Sequence, residues 1–214
     1  MPKIVDHDSQ RRELAEAAYR VIARGGLEGA TVRLVAEEAR CSTGPLAHYF
    51  GGKADLLVHA LRHATAKTAA RMIEHRQSAR GVEGLRCVLR EALPLDSERR
   101  AEWRVWLAFW GGAATDRALA REQSRRYADW RALVVALLRE AEQDGEIQPG
   151  LDLTHEASVL LALIDGLGIQ AMFERERRGA SWQEAVIDRQ IAMLVRGNEG
   201  AVAAGKKSGR VGAG

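Results

Sequence analysis

Cysteine is nearly absent from this 214-residue chain: Cys41 and Cys87 stand alone, far apart and in no CxxC spacing. That excludes a disulfide framework and a zinc knuckle, and in a reducing compartment both are most simply small apolar side chains. No uncharged apolar run reaches the roughly 18 residues that a membrane helix requires. The opening MPKIVDHDSQRR is polar where a signal peptide is apolar. A cytoplasmic protein with no membrane partner is expected. Net positive charge is also scarcer than it looks. The total is +3, and Lys206, Lys207 and Arg210 in the acid-free ending AVAAGKKSGRVGAG supply all of it. The rest of the chain is neutral, so a nucleic-acid partner has to be read from where charge is placed.

Signatures of catalysis are missing too. There is no G-x-S-x-G elbow, no glycine-rich phosphate loop and no Ser/His/Asp context. His59 and His63 have the i, i+4 spacing of metal ligands, but position 60 is alanine, which breaks the H-E-x-x-H pattern, and no third ligand follows nearby. Neither an enzyme nor a bound metal or cofactor is expected.

What is present is a soluble composition, 46% hydrophobic and 29% charged, with helical periodicity from end to end. The fold class is all-α, with about nine helices marked off by glycine, proline and capping residues. Leu14, Ala17, Ala18, Val21 and Ile22 line one face of a first helix that stops at Gly25-Gly26. Thr31 caps a second, with Val32, Val35, Ala36 and Ala39 on one face. Ser42 caps a third, where Pro45 falls in the first turn and its missing N–H costs little. From Ala54 a stripe of Leu57, Leu61, Ala64, Thr68 and Met72 runs to about Arg80, on the order of 40 Å of helix. Ser181 with Glu184 has the capping-box spacing for the last helix.

Three short helices with a tight turn before the third form the helix-turn-helix plan, whose last helix enters the major groove of double-stranded DNA. The segment CSTGPLAHYFGGK fits that role, with no acid between Arg40 and Lys53. Ser42, Thr43, Gly44 and Pro45 lie in the turn and first helical turn. His48 and Tyr49 follow one turn later with tips suited to phosphate oxygens, Lys53 adds a charge, and Arg33 on the second helix either touches phosphate or is solvated. Phe50 and Leu46 read as core.

Residues 31–57, TVRLVAEEARCSTGPLAHYFGGKADLL, resemble the DNA-binding segment of the TetR family of bacterial one-component regulators. Arg40, Cys41 and Ala47 replace the glycine, valine and tyrosine usual in that motif. The first departure implies that Arg40 tolerates the turn geometry, and the third leaves more of the phosphate contact to His48 and Tyr49. The segments WLAFW and ALIDGL, with STG and HYF in the reader, are similar to the choline-sensing, BetI-like subgroup.

The resemblance implies a reader over residues 1–53 and an effector-binding and dimerisation domain over 54–200, and the glycine-rich composition without apolar periodicity implies a disordered basic tail over 201–214. The resemblance also implies that the last two long helices, 153–176 and 181–196, form a homodimer interface through Leu160, Ile164, Gly166, Gly168, Ile187, Ile191 and Leu194, the alternative being that they are core helices within one chain. EASVLLALIDGLGIQAM is apolar nearly all round, consistent with burial on most sides.

Three of the five tryptophans, Trp103, Trp106 and Trp110, share one face at i, i+3, i+7, and Asp165 is the sole acid in an otherwise apolar stretch. Indole faces attract cations, so these four residues are expected to hold a small-molecule effector, a cationic amine, unless Asp165 only hydrogen-bonds across the dimer seam and the pocket takes an uncharged apolar molecule. Two functions are consistent with this pattern. One is a ligand-released repressor on a pseudo-palindromic operator; the other is a constitutive or architectural DNA binder whose C-terminal domain only dimerises or holds a partner. A cavity beside Trp106 and Asp165 favours the first, a fully packed core the second.

Overall fold

The computed structural model describes residues 7–44 and 50–195, with backbone only at 7–9, 27, 28 and 53. Eight helices lie within them: α1 His7–Gly29, α2 Val32–Glu38, α3 Lys53–Arg76, α4 Gly81–Glu91, α5 Ser97–Ala113, α6 Arg117–Gln143, α7 Leu153–Phe173 and α8 Ala180–Leu194. The all-α reading holds; extended pairing among the described residues is limited to an isolated bridge between Ile147 and Val195, which ties the loop before α7 to the end of α8. The expected third helix falls largely at 45–49, outside the described residues, and its backbone is already helical at Thr43 and Gly44. The basic tail lies outside them as well.

Local chemistry sets the element ends. Gly26, at φ 69°, breaks the helical course of α1 where the Gly25-Gly26 pair predicts a stop. Thr31 accepts from Leu34 N–H at 3.2 Å and starts α2. Asp96, Asp116 and Asp152 each accept first-turn N–H groups and start α5, α6 and α7. The expected capping box at Ser181 is not the one used: Gly179 caps α8 without a side chain, and Glu184 faces Arg90 across to α4. The long helix closes at Arg76, short of Arg80, because Gln77 and Ser78 N–H turn back to the carbonyls of Glu74 and His75.

The end of α2 explains the first departure from the TetR motif. Cys41 N–H bonds the Ala36 carbonyl and Arg40 N–H the Glu37 carbonyl, the double closure of a Schellman motif. Its penultimate residue must be left-handed, and Arg40 has φ 55°. Glycine takes that conformation freely, whereas a side chain there costs on the order of 1 kcal/mol.

Two apolar clusters share the long elements. The first joins α1 (Leu14, Ala17, Ala18, Val21, Ile22), α2 (Val35, Ala36) and Phe50 to the first half of α3, from Leu56 to Ala64, and to Val105 and Phe109 of α5. Val32, expected on the buried face of α2, is instead exposed. The second cluster joins Met72 of α3 to α4, Trp103 of α5 and the inner faces of α6, α7 and α8. Thus α3 and α5 each pack against the reader at one end and against the larger helical body at the other.

Between the two clusters lies an ionic network. Glu91 and Glu102 are almost fully buried. Arg71 reaches both: Nε donates to Glu91 at 2.7 Å, and Nη1 and Nη2 donate to Glu102 at 2.8 and 2.7 Å. Thr68 adds a 2.8 Å bond to Glu102, and Arg99 a 2.5 Å bond to Glu91. The hydrogen bonds that Arg71 donates to Glu102, then the one to Glu91, hold its guanidinium protonated more firmly than an exposed arginine, against the effect of burial.

Candidate functional site

The reader presents a polar edge. Ser42, Thr43 and Gly44 are exposed, and Arg33 is exposed on α2, ion-paired to Glu37 at 2.9 Å one turn away. Phe50 is buried in the first apolar cluster, and its core reading holds. Pro45, Leu46, His48 and Tyr49 lie outside the described residues; Lys53 opens α3, and its side chain lies outside them also. His59 and His63, with metal-ligand spacing in the sequence, instead pack on aromatic rings: His59 edge-on to Phe50 at 5.0 Å and His63 tilted on Tyr19 at 5.1 Å.

In the larger body, α3, α5, α6 and α7 line a half-open cavity of about 280 Å³. All four expected effector residues, Trp103, Trp106, Trp110 and Asp165, line it. The indoles form one aromatic wall, with Trp103 edge-on to Trp106 at 5.3 Å and to Trp110 at 5.6 Å. Their roles differ. Trp103 is fully buried, with Nε1 committed to the Ala92 carbonyl at 2.8 Å, whereas Trp106 Nε1 is buried with no partner among the described residues.

Asp165 accepts a 2.6 Å hydrogen bond from the Tyr127 hydroxyl and, among the described residues, has no cationic partner within ion-pair distance. Burial pushes its carboxyl above the ordinary carboxylate range, opposed by the Tyr127 bond. The cavity is therefore mainly apolar and aromatic, with a few convergent polar groups, the usual character of a small-molecule site.

Sequence reasoning missed the α6 wall: Gln123, Arg126, Tyr127, Asp129, Trp130 and Leu133. Gln123, Arg126, Tyr127 and Trp130 recur at i, i+3, i+4, i+7, so a face was there to be found. Its arginine, glutamine and tyrosine have the composition of a solvated stripe, which hid it.

The interface residues need correction. Leu160, Ile164, Ile187, Ile191 and Leu194 are buried within the chain's own second cluster, and Ile164 also lines the cavity, so none is free to meet a partner. Gly168 is an internal contact as well: a Cβ there would overlap the Trp103 indole. Gly166 alone among the seven faces open space. It belongs to a neighbouring stripe, Ala162, Gly166, Ile169 and Phe173, exposed or half-exposed, and α8 also exposes Met193. Because α7 is apolar on most sides, periodicity could not say which side faces home. Its length and composition would also suit a membrane span, yet one face packs inside this chain.

Comparison with known proteins agrees at both ends of the chain. Residues 14–60 match the bacterial regulatory proteins of the tetR family, and residues 81–196 match the C-terminal domain of BetI-type transcriptional repressors. The HTH-type transcriptional regulator PksA of Bacillus subtilis (strain 168) is 32% identical over 178 residues, covering 83% of this chain and 85% of that protein. BetI of Burkholderia thailandensis is 33% identical over 172 residues, covering 79% and 85%. Among solved structures, a transcriptional regulator from Saccharomonospora viridis in complex with choline has a TM-score of 0.80 at 26% identity, covering 89% of this chain and 100% of that one. One from Rhodococcus sp. Rha1 has a TM-score of 0.75 at 33% identity, covering 86% and 95%. With a tetR-type reader in the first 60 residues and a BetI-type domain over most of the remainder, the chain belongs to the TetR family of bacterial transcriptional regulators.

Proposed function

We propose that the protein is a cytoplasmic, ligand-responsive repressor that binds a pseudo-palindromic operator as a homodimer and leaves it when a cationic amine occupies the cavity. The observation that carries this reading is the cavity itself, an aromatic box with the carboxylates of Asp165 and Asp129 in its wall, in place of a closed core. A relative solved with choline supports a cationic effector. A cation held by indole faces at about 0.5–2 kcal/mol per contact would also offset the cost of keeping Asp165 ionised and buried.

The route from cavity to DNA runs along two helices. The helix α3 supplies Thr65, Thr68, Ala69 and Met72 to the cavity and begins at Lys53, directly after the reader. The helix α5 supplies the three indoles, and its Arg104 donates from Nε to the carbonyl of Ala23 in α1. A ligand that prefers a different spacing of α3 and α5 would re-aim the readers, weakening operator binding by no more than that preference.

Asp165→Asn is expected to abolish most of the affinity for choline or a polyamine in calorimetry while leaving operator affinity intact. In wild type, acidification should weaken cation binding earlier than for an exposed carboxylate. The neutral form is favoured by burial, so the ionised form is lost as pH falls through the raised pKa. Equal binding of the cation to both proteins at every pH would remove Asp165 from sensing.

The dimer is assigned to the exposed stripe through Gly166, with the two readers roughly 34–36 Å apart or at a multiple of that spacing, burying on the order of 2,000 Å² or more. Gly166→Trp should shift the protein toward monomer in sedimentation and weaken operator binding. Tyr49→Phe and Lys53→Ala should weaken binding to all DNA sequences, and Lys53→Ala should reduce the salt slope by about one. A wild-type monomer at micromolar concentration would contradict the two-fold operator.

A further inference from the structure

The cavity holds a second charge that a simple cation does not use. Arg126 lines it from α6, close in sequence to Tyr127, the hydrogen-bond donor to Asp165. Among the described residues its Nη1 donates to the hydroxyl of Thr65. Its Nε is buried with no partner, and among the described residues no carboxylate lies within ion-pair distance of the guanidinium. Nearby acids do not fill that need. Glu122 is committed to Arg125 at 3.0 Å and faces Arg62 at 3.6 Å, and Asp129 acts on Arg126 only from beyond contact.

Burial dominates its environment and pulls the guanidinium down to about 10, which still leaves it charged at neutral pH. Two further buried polar atoms without partners line the same cavity: Trp106 Nε1, a donor, and Gln123 Oε1. Buried donors and charges of this kind are costly to leave unmade, so a group that persists unpaired in a cavity is matched to what fills it.

We propose that the effector also carries an acidic group, in the simplest case a carboxylate, that accepts from Arg126 and Trp106 Nε1, making the ligand a zwitterion. The inference rests on the cavity being the effector site and deepens that reading. Cation selection belongs to the indoles and Asp165, acid selection to Arg126. A carboxylate bonded to a guanidinium is a charge-assisted contact with defined geometry, so it selects against a ligand that ends in a hydroxyl.

The test uses three molecules of nearly equal shape, titrated into the full-length protein by calorimetry. Choline carries only the cation, glycine betaine carries cation and carboxylate, and tert-butylacetate carries the carboxylate with a neutral carbon in place of the nitrogen. Wild type is expected to bind betaine roughly ten-fold or more tighter than choline, the range of a hydrogen bond to a charged group. Arg126→Gln should bring the two within about threefold by weakening betaine alone, with Arg126→Lys intermediate. The thermal midpoint of the ligand-free Arg126→Gln protein should be unchanged or raised, because an unpaired buried cation has been removed.

Choline binding as tightly as betaine, an unchanged ratio in Arg126→Gln, no binding of either acid, or a large drop in that midpoint would each overturn the proposal. Binding of betaine and tert-butylacetate with equal affinity would uphold the acid site and sink the cationic reading instead.

Discussion

Arg71→Ala is expected to lower the stability of the fold by about 3–5 kcal/mol, a large fraction of what a domain of ordinary stability has to lose. The arginine makes three of the hydrogen bonds that hold Glu91 and Glu102, both nearly excluded from solvent. Without it Glu91 keeps Arg99 and lies 3.3 Å from His75, but Glu102 keeps only the Thr68 hydroxyl. A carboxylate cannot stay charged at little cost in such a place. Urea denaturation measures the loss. The double change Arg71→Met with Glu102→Gln should recover more than half of it, since removing both charges is far cheaper than orphaning one. A loss below about 1 kcal/mol for Arg71→Ala would mean the network is better hydrated than its burial indicates. Thr68 belongs both to this network and to the cavity wall, so the surviving folded fraction should also respond abnormally to effector.

The second large effect is expected from the smallest side chain in α7. Gly168→Ala should cost about 1–3 kcal/mol or more, the usual range for forcing atoms into a packed interior. The added methyl would occupy the space of the Trp103 indole. That ring cannot yield freely: it is buried, bonded through Nε1 to the Ala92 carbonyl and stacked edge-on against Trp106 and Trp110. If it moves, the open volume available to it is the cavity, so effector binding should fall together with stability. Thermal unfolding and calorimetry on the same variant check both. Gly166→Ala, two residues away and facing open space, is the matched control and should leave both nearly unchanged. An unaltered melting point and affinity for Gly168→Ala would show that Trp103 has room the packing does not indicate.

The same pair of glycines shows where sequence reasoning stopped. The family resemblance places both in a homodimer interface. One instead leaves room for a tryptophan of the same chain, Trp103, against α7, and the other belongs to the exposed stripe. Leu160, Ile164, Ile187, Ile191 and Leu194 were equally legible as apolar and equally ambiguous in direction. A helix that is hydrophobic on nearly every side carries no information about which neighbour covers which side. The α6 wall was hidden for the opposite reason. Arg126 and Gln123 are polar, and a polar stripe on a long helix ordinarily faces water.

The sequence by itself determined the all-α class, most helix starts, the reader with its TetR-type motif, and the three-indole face with Asp165 in one site. These follow from short-range rules: helical period, capping side chains, and glycine or proline at fixed offsets, each acting over a turn or two of chain. The tertiary structure alone decided that the indole wall and Asp165 leave a cavity, that α6 completes it with Arg126 and Tyr127, and that Arg71 bridges two buried glutamates from different helices. Such features depend on which faces of distant helices meet. That choice is made by packing and by the mutual satisfaction of buried charges, summed over contacts that no local stretch of sequence contains.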